Sequence, residues 1–230
     1  EPMPFDRNTS IISMPRLTFN ASDTEYWLVD INPEQLLKDV QSIIHKYVDI
    51  DEGFEVISSL FVLLSYVYEQ FQTVPYLRMI GPFGTGKSWY LRVMSELCYH
   101  GTLLGEGFTP PTIYRWLEKY GGTLLLDEAN FSDSSQHSLM TQILNGGYSR
   151  YGRVFRNDKG INGYQPKPYK SFGPKIVACQ KPYEDNALES RFLSHSSYVS
   201  NRQDIPISLP RSREWDEMRE IREKLFNFRL

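Results

Sequence analysis

One octapeptide constrains this chain more than any other feature: Gly81-Pro82-Phe83-Gly84-Thr85-Gly86-Lys87-Ser88. It has the form G-x-x-x-x-G-K-[ST], the phosphate-cradling P-loop or Walker A pattern. Each position has a physical reason. The glycines let the backbone curl until its N–H groups point at phosphate oxygens. Lys87 brings a positive charge to the β and γ phosphates, and Ser88 offers a hydroxyl to Mg²⁺. The segment before it, Tyr76–Ile80, reads as a buried strand. The segment after it carries Tyr90, Leu91, Val93, Met94 and Leu97 on one helical face. Such a helix sets the positive end of its dipole under the phosphates. From average residue usage, a match to this pattern arises by chance in about one chain of this length in a hundred. The expected nucleotide contacts are Gly81, Pro82, Phe83, Gly84, Thr85, Gly86, Lys87, Ser88 and Trp89.

The surrounding grammar fits that motif. Short apolar runs at Tyr76–Ile80, Leu103–Leu104, Thr123–Leu126, Lys175–Cys179 and Ser196–Val199 alternate with helical patterns. Those patterns lie at Lys87–Cys98, Pro111–Tyr120, Ser134–Asn145 and Asn186–Phe192. Near-continuous apolar strands separated by helices predict a mainly parallel sheet with helices on both faces. Two helices precede it. Asn32-Pro33-Glu34 is a helix start with Pro at its first position. A second helix from Glu52 to Phe71 is apolar nearly all round, so Phe54, Ile57, Leu60, Phe61, Leu63, Leu64 and Val67 are expected in the core.

Two further elements complete a phosphate chemistry. The run Leu124-Leu125-Leu126 ends in Asp127-Glu128. A strand ending in this acidic pair, downstream of the P-loop, is the Walker B arrangement. Asp127 holds Mg²⁺ with Ser88, and Glu128 orients the attacking water. In Asn186-Ala187-Leu188-Glu189-Ser190-Arg191-Phe192, Arg191 is a candidate arginine finger for a neighbouring subunit's γ-phosphoryl group. Its plain alternative is a surface salt bridge. The expected catalytic set is therefore Lys87, Glu128 and Arg191.

Together these elements resemble the AAA+ class of P-loop ATPases. The segment Ala187–Phe192 is similar to the arginine-finger segment of minichromosome maintenance helicases. Gly81–Ser88, then Tyr120–Glu128, then Leu144-Asn145-Gly146-Gly147-Tyr148, resemble an ATPase domain of phage and mobile-element primase-helicases. The resemblance spans roughly residues 50–200. It implies a three-layer αβα core using ATP and Mg²⁺, with Arg191 acting in trans in a ring, a hexamer by analogy. It also implies a polar sensor at the end of the strand before the finger helix, where Gln180 is the first choice and Lys181 the second. Arg211 and Arg213 are the options for a second, C-terminal sensor.

Between Asn145 and Lys175 the chain turns basic. Arg150, Arg153, Arg156, Lys159, Lys167, Lys170 and Lys175 accompany a single acid, Asp158, with tyrosines interleaved. Val154–Arg156 and Tyr169–Phe172 read as paired strands around a Gly- and Pro-rich tip. Rings interleaved with cations suit single-stranded nucleic acid, whose bases stack on aromatic faces. Arg150, Arg153, Arg156, Lys159, Lys167 and Lys170 are the expected contacts to single-stranded or duplex DNA. The rival reading turns some of these arginines toward a neighbour's nucleotide.

Composition closes off other classes. The chain has 230 residues, 40% hydrophobic, with 13 Phe, 15 Tyr and 4 Trp, too aromatic for disorder. A net charge of −3 denies it a basic coat, so any nucleic-acid contact is local. It lacks an apolar run of about 18 residues, so no membrane partner is expected. Cys98 and Cys179 read as core thiols, and His45, His100, His137 and His195 have no metal spacing. Absence of a basic-then-apolar leader points to the cytoplasm. The opening EPMPFDRN reads as a piece of a longer protein, in which a primase or nuclease module is possible. The expected organisation is a lead-in and helix over 1–50, an ATPase core over 51–210 and a helix over 211–230. The expected function is an ATP-hydrolysing motor, a helicase or translocase. Its rivals are a regulatory or defence-related ATPase switch that assembles a partner complex, and a protein remodeller.

Overall fold

A computed structural model describes residues 31–105, 108–127, 134–160, 163–210 and 215–229. The lead-in, Glu128, Arg211 and Arg213 lie outside the described residues.

Five strands form one parallel sheet: β1 (Tyr76–Ile80), β2 (Thr102–Leu104), β3 (Leu124–Leu126), β6 (Lys175–Cys179) and β7 (Phe192–Ser196). Their spatial order is β2-β3-β6-β1-β7, and every neighbouring pair is parallel. Successive residues of a strand point to opposite faces, and the two hydrophobic cores divide on that rule. Leu77, Met79, Leu125, Ile176 and Ala178 join the first core, with α1 (Pro33–Tyr47), α2 (Glu52–Val67), α3 (Lys87–Leu97) and α7 (Asp216–Arg229). Tyr76, Leu124, Leu126, Val177 and Cys179 join the second, with α4 (Pro110–Tyr120), α5 (Ser134–Gly147) and α6 (Asn186–Glu189). This is the expected three-layer αβα arrangement. The chain leaves β1 over one face to reach the far edge at β2, then steps back over the other face through β3 to β6. The neighbouring strands β1 and β6 therefore send their following helices, α3 and α6, over opposite faces, which opens a crevice beyond the carboxyl ends of the strands.

Local chemistry sets the elements. Asn32 Oδ1 caps α1 by accepting from the Glu34 and Gln35 N–H groups at 3.0 and 3.2 Å. Asp51 caps α2 through the Phe54 N–H at 2.9 Å. The core face of α2 differs from expectation. Ser58, Ser59 and Ser65 are fully buried, whereas Leu60 is 49% exposed. The serines satisfy their hydroxyls on Glu55 O (Ser59), Val62 O (Ser65) and Tyr90 OH (Ser58). With their hydroxyls paired the serines can be buried, and the bulkier leucine turns outward.

β7 also differs. Its strand is Phe192–Ser196, not Ser196–Val199, and α6 stops at Glu189. An edge strand draws its stability from backbone pairing, here with β1 from Tyr76↔Phe192 to Ile80↔Ser196. It therefore needs no continuous apolar run, and Leu193 is exposed.

The stretch after α5 forms an antiparallel hairpin, β4 (Arg153–Gly160) and β5 (Gly163–Lys170), longer than the sequence signals. Pro166 and Pro168, which lack a donor, sit on this isolated ribbon rather than in the main sheet. Among the described residues no helix is long and apolar enough to cross a membrane.

Candidate functional site

The P-loop leaves the carboxyl end of β1. The ladder between β1 and β6 runs one step into it, since the Gly81 N–H donates to Cys179 O at 3.2 Å. That bond sets Gln180 beside the start of the loop and Asp127, which follows β3, one strand further on. Gly81 is required by close approach: a Cβ there would overlap Ser197 Oγ and lie 2.9 Å from Ser197 O. Gly84 and Gly86 have φ of +78° and +79°, and a Cβ on either meets open space. Their constraint is conformational, and the space beside them is free for a ligand. Gly86 then caps α3.

Lys87 is buried, and its Nζ donates to Gly81 O at 2.8 Å and Pro82 O at 2.6 Å. The ammonium is thus held over the loop by the loop's own carbonyls. Thr85 Oγ1 donates to Pro82 O at 2.9 Å and lies 2.7 Å from Ser197 Oγ. Ser88, Pro82 and Phe83 are exposed at the mouth. The Trp89 indole turns away, donating to Tyr47 O at 2.6 Å and packing on the first core. Only its backbone remains for a cradle.

Asp127 has its N–H paired with Leu104 O at 3.0 Å, while its Oδ1 is buried without a hydrogen-bond partner. A buried carboxylate oxygen left bare is costly. It fits a hard cation, and one carboxylate with a hydroxyl such as Ser88 and phosphate oxygens is the donor set Mg²⁺ takes. The free thiols, Cys98 and Cys179, are buried as expected. Burial pushes the Cys179 thiol up to about 11, far from a reactive thiolate.

Arg191 is at the opposite edge of the sheet. The Tyr76 N–H donates to Arg191 O at 2.9 Å, level with the start of β1. The arginine and the loop are separated by the whole strand, about 17 Å at 3.3 Å per residue. Arg191 Nη1 donates to Asn145 O at 2.6 Å and to Asn145 Oδ1, and its guanidinium lies 5.3 Å from the Tyr148 ring centre. The neighbouring Glu189 pairs with buried Arg78, with Arg78 Nη2 donating to Oε2 at 2.7 Å. The guanidinium holds the Glu189 carboxyl below its ordinary range.

The hairpin sorts its basic residues by strand alternation. Val154 and Tyr169 pair across the ribbon and are buried against α4. Arg156 and Lys167 share that inner face, with Arg156 5.9 Å from the Tyr114 ring centre and Lys167 4.8 Å from that of Tyr169. Arg153, Lys159 and Lys170 lie on the outer face with Phe155 and Tyr164, which are 63% and 75% exposed. Arg150 is exposed in the turn before β4, next to Tyr151 at 76%. Lys175 departs from the expected basic surface. It is fully buried at the start of β6, donating to Ser171 O at 2.8 Å and Gly173 O at 3.0 Å.

The contacts of Ser197 with Thr85, Asn145 with Arg191 and Glu189 with Arg78 escaped the sequence reading. A strand placed at Phe192–Ser196 would have set Ser197 against the P-loop. The Leu144–Tyr148 segment carried the signal for Asn145 without its role.

No family model matches the chain, and no curated protein matches it. Among solved structures the chain is similar to an inhibitor-bound JCV helicase, at 16% identity and a TM-score of 0.46, over 86% of this chain and 53% of that one. It is also similar to the apo NrS-1 C-terminal region, at 17% identity and a TM-score of 0.46, over 87% of this chain and 44% of that one. The chain thus spans about half the length of the structures it matches.

Proposed function

We propose that this chain is the nucleotide-hydrolysing domain of a motor that acts on single-stranded nucleic acid, a helicase or translocase, and works as a ring of copies. The observation that carries the reading is the placement of the chemistry on the sheet. Lys87, Ser88 and Asp127 lie at the carboxyl edge of the sheet, and Arg191 at the opposite edge.

ATP is the substrate. The P-loop N–H groups and Lys87 bind its phosphates, and Lys87 exchanges the Gly81 and Pro82 carbonyls for phosphate oxygens. Ser88 and Asp127 hold Mg²⁺, which when bound neutralises charge on the β and γ oxygens. Glu128 orients a water in line with the γ-phosphorus. Gln180, beside Gly81, is the polar group placed to sense the γ-phosphate. Arg191 cannot reach the loop of its own chain, so its fixed charge serves the phosphate site of a neighbouring copy, where such a group is worth about 10³-fold or more in rate.

The outer face of the hairpin supplies the nucleic-acid contact. On that face Arg153 stands directly opposite Lys170. Like charges directly opposite each other destabilise a ribbon, and a polyanion removes that cost. Exposed Phe155 and Tyr164 beside Arg153, Lys159 and Lys170 suit bases unstacked from a single strand. The test is ATP turnover with and without a single-stranded oligonucleotide. Stimulation that is lost in Tyr164→Ala supports the reading. Turnover indifferent to the strand removes the nucleic-acid part and leaves a nucleotide switch or a protein remodeller.

A further inference from the structure

The last turn of α5 is gripped from three sides. Tyr76 OH donates to Leu144 O at 2.8 Å, Arg191 to Asn145 O at 2.6 Å, and Lys175 Nζ reaches toward Gly147 O at 3.5 Å. These donors come from β1, β6 and the residue before β7, and they meet the negative end of the helix dipole. Gly147 has no room for a side chain: a Cβ there would lie 2.6 Å from Lys175 Nζ and 3.0 Å from Tyr76 OH.

The same turn is the root of the hairpin. The chain runs from Gly147 through Tyr148 and Arg150 into β4. It is stapled to the residues before β1 by the Val74 N–H to Tyr148 O at 3.0 Å and the Arg150 N–H to Gln72 O at 2.9 Å. At the other end of the hairpin, β5 runs directly into Ser171 and Gly173, whose carbonyls hold Lys175. Both legs of the ribbon therefore end on the clasp that holds Arg191. α5 itself begins at Ser134, seven residues after Asp127.

We propose that this turn is a latch: Asn145 and Tyr148 hold Arg191 in a withdrawn position, and displacement of the hairpin by a bound strand releases it toward the neighbouring copy's phosphates. The proposal rests on the reading of Arg191 as a group that acts in trans. Asn145 and Tyr148 are positioning residues, since they touch Arg191 and not the nucleotide. A latch makes the strand-free state slow and the strand-bound state fast. Weakening it raises the first rate and leaves the second nearly unchanged. A merely structural role lowers both together.

The test uses mixtures in which only trans completion gives turnover. An Arg191→Ala chain keeps an intact phosphate site and lacks the arginine. A Lys87→Ala chain donates the arginine and cannot hydrolyse. Turnover of the mixture is measured with and without a single-stranded oligonucleotide, and the donor is then given Asn145→Ala or, separately, Tyr148→Leu, each checked for an unchanged melting profile. The expected result is strand-free turnover raised by about fivefold, the shift that one lost hydrogen bond allows, with the stimulated rate held. Equal falls in both rates, or no change from either donor variant, overturn the latch while the trans reading stands. A control mixture that stays at background overturns the trans reading and the latch with it.

Discussion

Arg191 and Lys87 stand at opposite ends of one strand: the Tyr76 N–H donates to Arg191 O at 2.9 Å where β1 begins, and Lys87 follows the loop that leaves its far end. Two positive charges suited to one phosphate chain are thus kept apart by the sheet itself. On the function proposed above, binding and completion of the site are therefore separate roles within one copy.

That separation predicts a split between affinity and rate. Lys87→Ala removes the charge at the phosphates of its own chain. It is expected to weaken ATP binding by tenfold or more, roughly the 1.5–3 kcal/mol of a charge-assisted bond. Arg191→Ala is expected to leave the affinity of the isolated chain within about twofold and to lower turnover by about 10³-fold. Titration with a fluorescent ATP analogue and steady-state phosphate release read the two quantities. Equal loss of affinity in both variants contradicts the split.

Gly81 is the loop position where a methyl group does most damage. Its Cβ would overlap Ser197 Oγ and press on the Ser197 backbone, which is fastened to Ile80 O at 2.7 Å. Gly81→Ala is expected to lower stability by about 1–3 kcal/mol, the cost of overpacking, and to weaken ATP binding. Gly84→Ala meets no atoms and carries only the backbone strain of positive φ, about 1–2 kcal/mol. Urea unfolding of the two variants, with and without ATP, checks the order. In Ser197→Gly, the Gly81→Ala defect is expected to shrink.

The outer face of the hairpin is expected to bind strands by stacking. Tyr164→Ala and Phe155→Ala should each cost about 1–3 kcal/mol in affinity for a single-stranded oligonucleotide. Lys159→Ala should weaken binding and reduce the salt dependence by one contact. Lys167→Ala, on the inner face beside Tyr169, should do less. Fluorescence anisotropy at several salt concentrations measures all four. Equal effects from Lys167→Ala and Lys159→Ala would contradict the face assignment.

Lys175 makes stability depend on pH. Burial pulls its ammonium down to about 7, against 10.5 in its ordinary state. Between those values the unfolded chain holds more protons than the folded one, so this group makes stability rise with pH, by at most about 1.4 kcal/mol per pH unit. Lys175→Met removes the proton and should flatten that rise, whatever it does to stability at one pH. Urea midpoints between pH 7 and pH 9.5 for both chains check it. Parallel curves would mean that the rise has another source.

The P-loop, β1, α3 and β6 were legible in the sequence because each is specified locally. The octapeptide fixes its own backbone, and strands covered on both faces read as apolar runs. β7 was placed too late because an edge strand such as Phe192–Ser196 takes its stability from pairing with β1, which no local pattern records. Leu60 was assigned to the core because its apolarity cannot show that three serines on α2, each with its hydroxyl paired, take the buried positions instead. Lys175 was taken for a surface charge because its burial under the end of α5, where it reaches toward Gly147 O 28 residues away, arises only in the fold. The Asn145–Arg191 bond is of the same kind: two residues 46 positions apart joined by tertiary structure.

The most direct measurement is ATP turnover of an equimolar mixture of the Lys87→Ala and Arg191→Ala chains, each first assayed alone. Neither chain should turn over ATP above background by itself. The mixture should recover a substantial fraction of the activity, because the intact loop of one copy meets the arginine of another. Turnover by Arg191→Ala alone at the unsubstituted rate, or a mixture as inactive as its components, would contradict completion of the site in trans.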